Sequence, residues 1–547
     1  MITTLKYLAV FFCLAGLVHA QVSREWVRRF NGEDNRFDIA STLKLDAFSN
    51  VFVYGIVTRL SSASDIALIK YNSSGGTAWV TTFNGYGNAV DQLNSAWLDN
   101  NANSYITGFT ADTSQVIKTV TQMYDSAGAM IWSRVFMPPG YNQSIGNSVT
   151  VSSGGVYSAG MMRRANGSYV TAVLRYDFAG NLLNTALFSK TPQSSEVPVT
   201  VCTDSSGAVY VLGKTNAISG SDDILMLKYD RSLNLKWQST FSGTAVGNDV
   251  PVQMMISNDN KIVVCAGMRN LPGGLDYGLY RFDTNAAVIM IYNYNGTGNN
   301  QDLPYAITCD TANNIFVTGG SRNADTLGSE DFYTIKLDPT SQLIWGKRFN
   351  GIGRGLDYGT SIAVDRLGNV YAGGCFDKHE NHIAFGLLKY GPTGDLFWLE
   401  EYSMLELSED FLYATAVDKD FNIFVTGISF DSTTDYDIAT IKYSQPIGIE
   451  PVGSIIPGEY KLYPAYPNPF NPETKIKFAV PHNAGGENMT ISVFDINGRL
   501  VEILAEGKFP AGEYEVNFNG VNFSSGVYFY RLDSPDFSAS GKMILIK

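Results

Sequence analysis

Residues 345–374 read WGKRFNGIGRGLDYGTSIAVDRLGNVYAGG. A tryptophan-headed apolar run is followed by a glycine-rich polar break carrying an aspartate. A second apolar run, an Asp-x-x-Gly-Asn turn and a third apolar run ending in glycine complete the stretch, and AFGLLKY at 384–390 supplies a fourth run. Four short apolar runs separated by Gly, Asn, Asp and Ser read as four strands joined by tight turns.

The unit recurs. Glycine-ended runs stand at Gly55, Gly108, Gly160, Gly213, Gly267, Gly319, Gly374 and Gly427, at spacings of 52 to 55 residues. Tryptophan marks the same period at Trp26, Trp79, Trp132, Trp237, Trp345 and Trp398, and two units keep the spacing without it. A fixed period near fifty with four strands per unit is the pattern of a propeller blade. Runs such as NIFVTG are apolar throughout, as expected of strands packed on both faces. The series opens with an orphan run of the tryptophan type, EWVRRFNG, and ends at Tyr443 one such strand short. A ring must hide its last edge, so the expectation is an eight-bladed propeller over 22–444, closed by pairing Trp26–Phe30 with the strand ending at Tyr443.

The repeated pattern Asp-x-x-Gly-Asn-Val-Tyr-Val-x-Gly, followed by Asp-[Phe/Ile/Tyr]-x3-Lys-Tyr and Gly-x3-Trp, resembles the bacterial SBBP β-propeller repeat family. That resemblance spans nearly the whole body.

Composition narrows the partners. The chain has 547 residues, 45% apolar and 13% aromatic, with a formal charge of -13. With no basic footprint, nucleic acid and anionic membrane surfaces are disfavoured. Residues 1–20, with Lys6 and an apolar run from Tyr7 to Val18, read as a secretory signal peptide cut after Ala20. No other segment approaches the ~20 apolar residues of a membrane span, and a monomer is expected. Cys202, Cys265, Cys309 and Cys375 fall in or beside apolar runs of different units and read as buried free thiols.

Candidate chemistry is sparse. The loop entering each unit places an acid six residues after its glycine, giving Asp38, Asp91, Asp249, Asp302 and Asp357, with Glu196 and Asp410 in the same register and Gln143 completing the ring. Such a ring is able to hold a cation, calcium being the rival occupant, or steer a cationic ligand. An acceptor for loop N–H groups, however, must recur in every unit, as this one does, and the structural reading is preferred. No other cofactor is expected. A second series, Asp46, Asp99, Asp204, Asp310, Asp365 and Asp418, precedes tight turns and reads as turn caps. Asp331 with Lys336 and Asp437 with Lys442 lie five apart, on opposite sides of their strands, so any pairing runs between blades. HENH at His379–His382 would ligate zinc only if a third ligand arrived from another loop, and the polar-loop reading is preferred. A Ser-His-Asp triad would need His379, His382 or His482, and the sequence sets no serine beside them. YDSAGAMIW misses the spacing of the sialidase turn, with Asp125 seven residues before Trp132. No residue is named as catalytic; the body reads as a binding or structural module for an unknown glycan or protein ligand, the alternative being a hydrolase acting on polysaccharide or glycan.

After Tyr443 the repeat stops. Residues 445–460 carry prolines and glycines without register and read as a linker, and 461–547 show short alternating runs expected to form a small Ig-like β-sandwich. YPNPFNP (466–472), VFDINGRLV (493–501), AGEYEV (511–516), SSGVYFYRL (524–532) and the terminal GKMILIK resemble the type A sorting domain of type IX secretion cargo. The resemblance implies export through the periplasm to the medium or outer surface of a Gram-negative bacterium, the outer-membrane secretion machinery being the partner. The motif residues are Tyr466, Pro467, Asn468, Pro469, Phe470, Asp495, Gly498, Gly526, Tyr528 and Lys542. The prolines are expected to hold the YPNPF segment extended, presenting Tyr466 and Phe470.

Overall fold

The computed structural model describes residues 22–547 except 61–62, 218–219, 272, 323–328, 352, 354, 380–381, 406–407, 446–449, 452–456, 482–487 and 510–511; the expected signal peptide lies outside the described residues. Two compact units are present, Arg24–Tyr443 and one containing Ser444–Lys547.

The first unit holds eight four-stranded antiparallel sheets. Blades 1 to 7 span 39–83, 91–136, 141–188, 196–241, 250–294, 302–349 and 358–402, each sheet following chain order. Blade 8 takes three strands from 410–444, and its outer strand is Ser23–Phe30, hydrogen-bonded beside Asp435–Ser444. The first strand of every blade touches the first strand of the next, and that of blade 8 touches that of blade 1. The ring is closed, with eight blades.

Second and third strands carry the burial. In blade 6 all seven residues of Ile315–Ser321 and all seven of Asp331–Leu337 are buried, because both faces meet neighbouring blades. Outer strands such as Thr77–Phe83 alternate toward solvent.

The repeated glycine has a geometric cause. The first strand bulges opposite it, between Leu412 and Ala414 in blade 8 and between Pro304 and Ala306 in blade 6. A Cβ on Gly427 would lie 1.9 Å from the Phe411 carbonyl oxygen, and one on Gly319 2.0 Å from that of Leu303. In seven blades the bulge therefore faces a glycine; in blade 5 it faces Ala266, next to Gly267.

The second aspartate series caps turns. Asp365 Oδ1 accepts the N–H groups of Leu367 and Asn369, both at 2.9 Å, while Oδ2 accepts from the Asn369 side chain and the Tyr371 hydroxyl. The four cysteines among the described residues are free thiols; Cys265 and Cys375 are buried, and burial pushes both up to about 12. Cys202 and Cys309 are only partly buried, contrary to expectation.

The second unit is a two-sheet sandwich. One sheet orders Glu450–Pro451, Gly512–Asn519, Glu473–Val480 and Lys461–Leu462; the other orders Leu500–Lys508, Asn488–Phe494, Gly526–Asp533 and Ser538–Leu545. Ile476, Phe478, Tyr514 and Val516 from the first sheet pack with Ile491, Val493, Tyr530 and Met543 from the second. Glu450 and Pro451, read as linker in the sequence, pair with Glu515 and Tyr514.

Candidate functional site

Each of the seven ring acids opens a first strand or directly precedes one, and each is at most 2% exposed. Asp357 accepts the N–H groups of Gly351 and Asp377, both at 2.8 Å, and Asp249 those of Gly243 at 3.1 Å and Arg269 at 2.7 Å. Asp38 accepts from the backbone of Gly32 and Thr58. Asp410 takes Met404 N–H at 3.3 Å, Phe430 N–H at 3.2 Å and the Ser408 hydroxyl at 2.6 Å. Asp302 accepts from Gly296 N–H and the Ser321 hydroxyl, Asp91 from Gly85 N–H, and Glu196 from the hydroxyls of Ser194 and Thr215. The pattern ties the loop between blades to the second strand of the blade it enters. A further bond reaches backward: the N–H groups of Asp38, Asp249 and Asp357 donate at 2.7 Å to the carbonyls of Tyr436, Asp222 and Glu330 in the preceding blade.

Blade 3 departs from the sequence reading. Its first strand starts early and has two irregularities, between Tyr141 and Gln143 and between Gly146 and Ser148. Gly146 opposite Gly160 matches Leu93 opposite Gly108, so Ser144, not Gln143, occupies the ring position. The Ser144 hydroxyl accepts Thr119 N–H at 2.8 Å and donates to the Phe136 carbonyl at 2.6 Å.

Desolvation dominates the electrostatics. Burial raises Asp38 and Asp357 to about 6 and shifts Asp91, Asp249, Asp302 and Asp410 upward. A smaller upward push comes from an aspartate at or near the start of the third strand of the preceding blade, Asp437 on Asp38, Asp65 on Asp91 and Asp223 on Asp249, while Asp357 is pushed by Asp377 of its own blade and then by Asp331 of the preceding one. The sequence reading missed this pairing across blade junctions, since its members lie in different repeats. Among the described residues no group of three His, Cys, Asp or Glu side chains is placed to hold a metal ion.

The third-strand lysines reach between blades. Lys336 Nζ donates to the Pro392 carbonyl at 3.0 Å, and Lys228 to that of Thr284 at 2.7 Å. The cross-strand tryptophan of each shares the same acceptor, Trp345 on Pro392 and Trp237 on Thr284, both at 3.1 Å. Where tryptophan is missing in blade 5, Arg281 replaces lysine and donates to the Pro339 carbonyl.

A serine does meet a histidine, contrary to expectation: Ser403 Oγ lies 3.0 Å from His382 Nε2, with His382 only 6% exposed. Glu380, Asn381 and His482 lie outside the described residues.

In the sandwich the proline-rich segment is not extended. It bends between two points of attachment, Tyr466 bonded both ways to Lys475 and Phe470 bonded to Ile544 and Ile546. Phe470 is a core residue, 2% exposed, packed edge-on against Phe518, whereas Tyr466 is 80% exposed. Only Tyr466 is presented. Asn468 holds the last strand, donating to the Lys542 carbonyl and accepting Ile544 N–H, each at 2.9 Å. Asp495 caps the hairpin turn through Asn497 and Arg499 N–H groups, with Gly498 at φ 75°. The Tyr528 hydroxyl donates to the Ser524 carbonyl, and Gly526 and Lys542 are exposed.

Residues 464–547 match the family described as "Secretion system C-terminal sorting domain", and residues 344–374 match "Beta-propeller repeat". The chain is a β-propeller protein with a type IX sorting tail. A tail of this family directs export to the cell surface or extracellular space of Gram-negative bacteria of the Bacteroidetes type. No curated protein matches the chain. Among solved structures it is similar to the WD40 domain of SCAP from fission yeast (10% identity, TM-score 0.41, covering 76% of this chain and 98% of that one). It is also similar to the periplasmic gluconolactonase PpgL of Pseudomonas aeruginosa (11%, 0.41, 69% and 98%). A third similarity is to the BP39L lectin of Burkholderia pseudomallei (8%, 0.39, 68% and 100%). At these scores the likenesses carry nothing about activity. The sorting-tailed propeller also has no helix among its described residues long and apolar enough to cross a membrane.

Proposed function

We propose that the propeller acts outside the cell as a binding or structural module, delivered there by its sorting tail, and that the seven ring carboxylates are internal staples of the blade loops. The observation that carries this reading is their engagement: backbone N–H groups and hydroxyls take up these recurring acids, at 0 to 2% exposure. A buried carboxylate bonded to its own loop orders that loop and is withheld from an incoming ligand. The ligand is an extracellular glycan or protein.

A hydrolase acting on polysaccharide or glycan is the second reading. It is favoured by Asp38 and Asp357, whose values of about 6 fall where a general acid works near neutral pH. Their burial counts against it. Assay of the secreted chain against a glycan panel, for binding and turnover together, separates the two. Binding without turnover supports the module; turnover abolished by Asp38→Asn or Asp357→Asn in a chain that still melts cooperatively supports the hydrolase.

A further inference from the structure

The two outer faces of the sandwich differ in kind. On the sheet containing Glu473–Val480 and Gly512–Asn519, charges are paired: Lys475 with Glu515 at 2.6 Å and Lys477 with Glu513 at 2.7 Å. The Tyr463 hydroxyl donates to Glu513 at 2.7 Å, and the Asn519 amide to Glu473 at 2.9 Å. This is a satisfied, water-facing surface. The other sheet presents a cross-strand row, Leu500–Phe494–Phe529–Lys542, one residue from each of its four strands. Leu500 is 55% exposed, Phe529 39% and Ile503 46%. The Arg531 guanidinium lies 4.9 Å from the Phe494 ring centroid and is ion-paired with Asp533 at 2.5 Å, whereas Lys542 is exposed.

A small sandwich has one interior, already filled by its core, so apolar side chains on an outer face are surplus to folding. Contiguous apolar surface with cations beside it marks a contact surface. The proline-rich segment crosses to the edge of this sheet: Tyr466 is paired with Lys475 of the other sheet, whereas Asn468 is bonded to the strand bearing Lys542, with Pro467 and Pro469 exposed beside it. Four segments far apart in the tail thus converge on one face.

We propose that this face, centred on Leu500 and Phe529 and edged by Pro467–Pro469, is where the export machinery grips the tail. The proposal rests on reading residues 464–547 as a sorting domain. The partner is an outer-membrane secretion component whose docking surface is apolar and flanked by a carboxylate that meets Lys542. The opposite, ion-paired face stays free in that complex.

The test uses the full chain in a host with type IX secretion, comparing extracellular and periplasmic amounts. The double substitution Leu500→Ser with Phe529→Ser, and separately Lys542→Glu at an exposed position, are each expected to lower extracellular protein about tenfold or more, as loss of a hot spot or an opposed charge does at an interface. Lys477→Ser with Glu513→Ser, on the other face, is expected to leave export at the wild-type level. Melting of the purified full chains shows whether each variant folds; Lys542→Glu keeps the test alive if the double variant does not. With a tail-deleted chain trapped, wild-type export of folded face variants, or an equal loss in the opposite-face control, overturns the face and leaves the sorting reading intact. Export of the tail-deleted chain itself overturns both.

Discussion

Trp26 Nε1 and Lys442 Nζ, from opposite ends of the propeller sequence, donate to the same carbonyl oxygen of Ser73, each at 3.2 Å. This is the blade-to-blade clamp seen at Pro392 and Thr284, assembled here from the first and last strands. Arg29 adds an ion pair to Asp437 at 2.8 Å across the same closure. Removing residues 22–33 would therefore leave the edge of Asp435–Ser444 unpaired and Asp437 without its cation. We expect the truncated propeller to aggregate and to melt over a broader, lower range, as an uncovered edge strand dictates. Light scattering and a calorimetric melt of the truncated and intact chains check this, and equal solubility and cooperativity would contradict it.

Asp302→Asn and Asp357→Asn each lose a charge-assisted acceptor for loop N–H groups, at a cost of about 1 to 3 kcal/mol in stability. Chemical denaturation measures the loss. Calcium discriminates the rival: if the ring were a metal site, calcium would raise the wild-type melting temperature and fail to do so in these variants, whereas the staple account expects no such rise.

Asp38 and Asp357 hold their protons up to about 6 in the folded chain, above the ordinary value of 3.8. Between those two values the folded state binds more protons than the unfolded one. The contribution of these groups to stability therefore falls as pH rises through that window and is flat above it. The melting temperature of the wild type should decline more steeply between pH 4.5 and 6.5 than that of the Asp38→Asn, Asp357→Asn double variant. Parallel profiles would show that these two acids do not titrate there.

Gly427→Ala puts a methyl group against the backbone carbonyl of Phe411, a group that has no rotamer with which to retreat. An overpacking cost of about 1 to 3 kcal/mol follows. The denaturation midpoint checks it, with Gly526→Ala, where a Cβ meets nothing within 4 Å, as the control.

The periodic features were readable because each blade restates them. Glycine spacing yields eight second strands, and the unpaired tryptophan run at Trp26 yields the closure. What escaped the sequence is whatever breaks the period or joins distant repeats. Ser144 was misread as Gln143 because the turn joining the first two strands of blade 3 is one residue shorter, between Val151 and Val156, than that of blade 2, between Leu98 and Ser104, so counting back from Gly160 overshoots by one. The acceptor shared by lysine and tryptophan lies in the next blade, out of reach of spacing within a unit. Phe470 was read as presented because a proline-rich stretch looks extended, but its aromatic ring is needed by a core that closes only when both sheets are in place. Ser403 meets His382 through a pairing of third and fourth strands that no local motif announces.

The central claim is that residues 444–547 carry the propeller out of the cell. In a host with type IX secretion, deleting them should leave a folded propeller in the periplasm, and fusing them to an unrelated periplasmic protein should move that protein to the surface or the medium. The boundary at Ser444 keeps Glu450–Pro451, which supplies an edge of the first sheet. The account predicts a trapped propeller and an exported fusion; normal export of the deleted chain, or retention of a folded fusion, would contradict it.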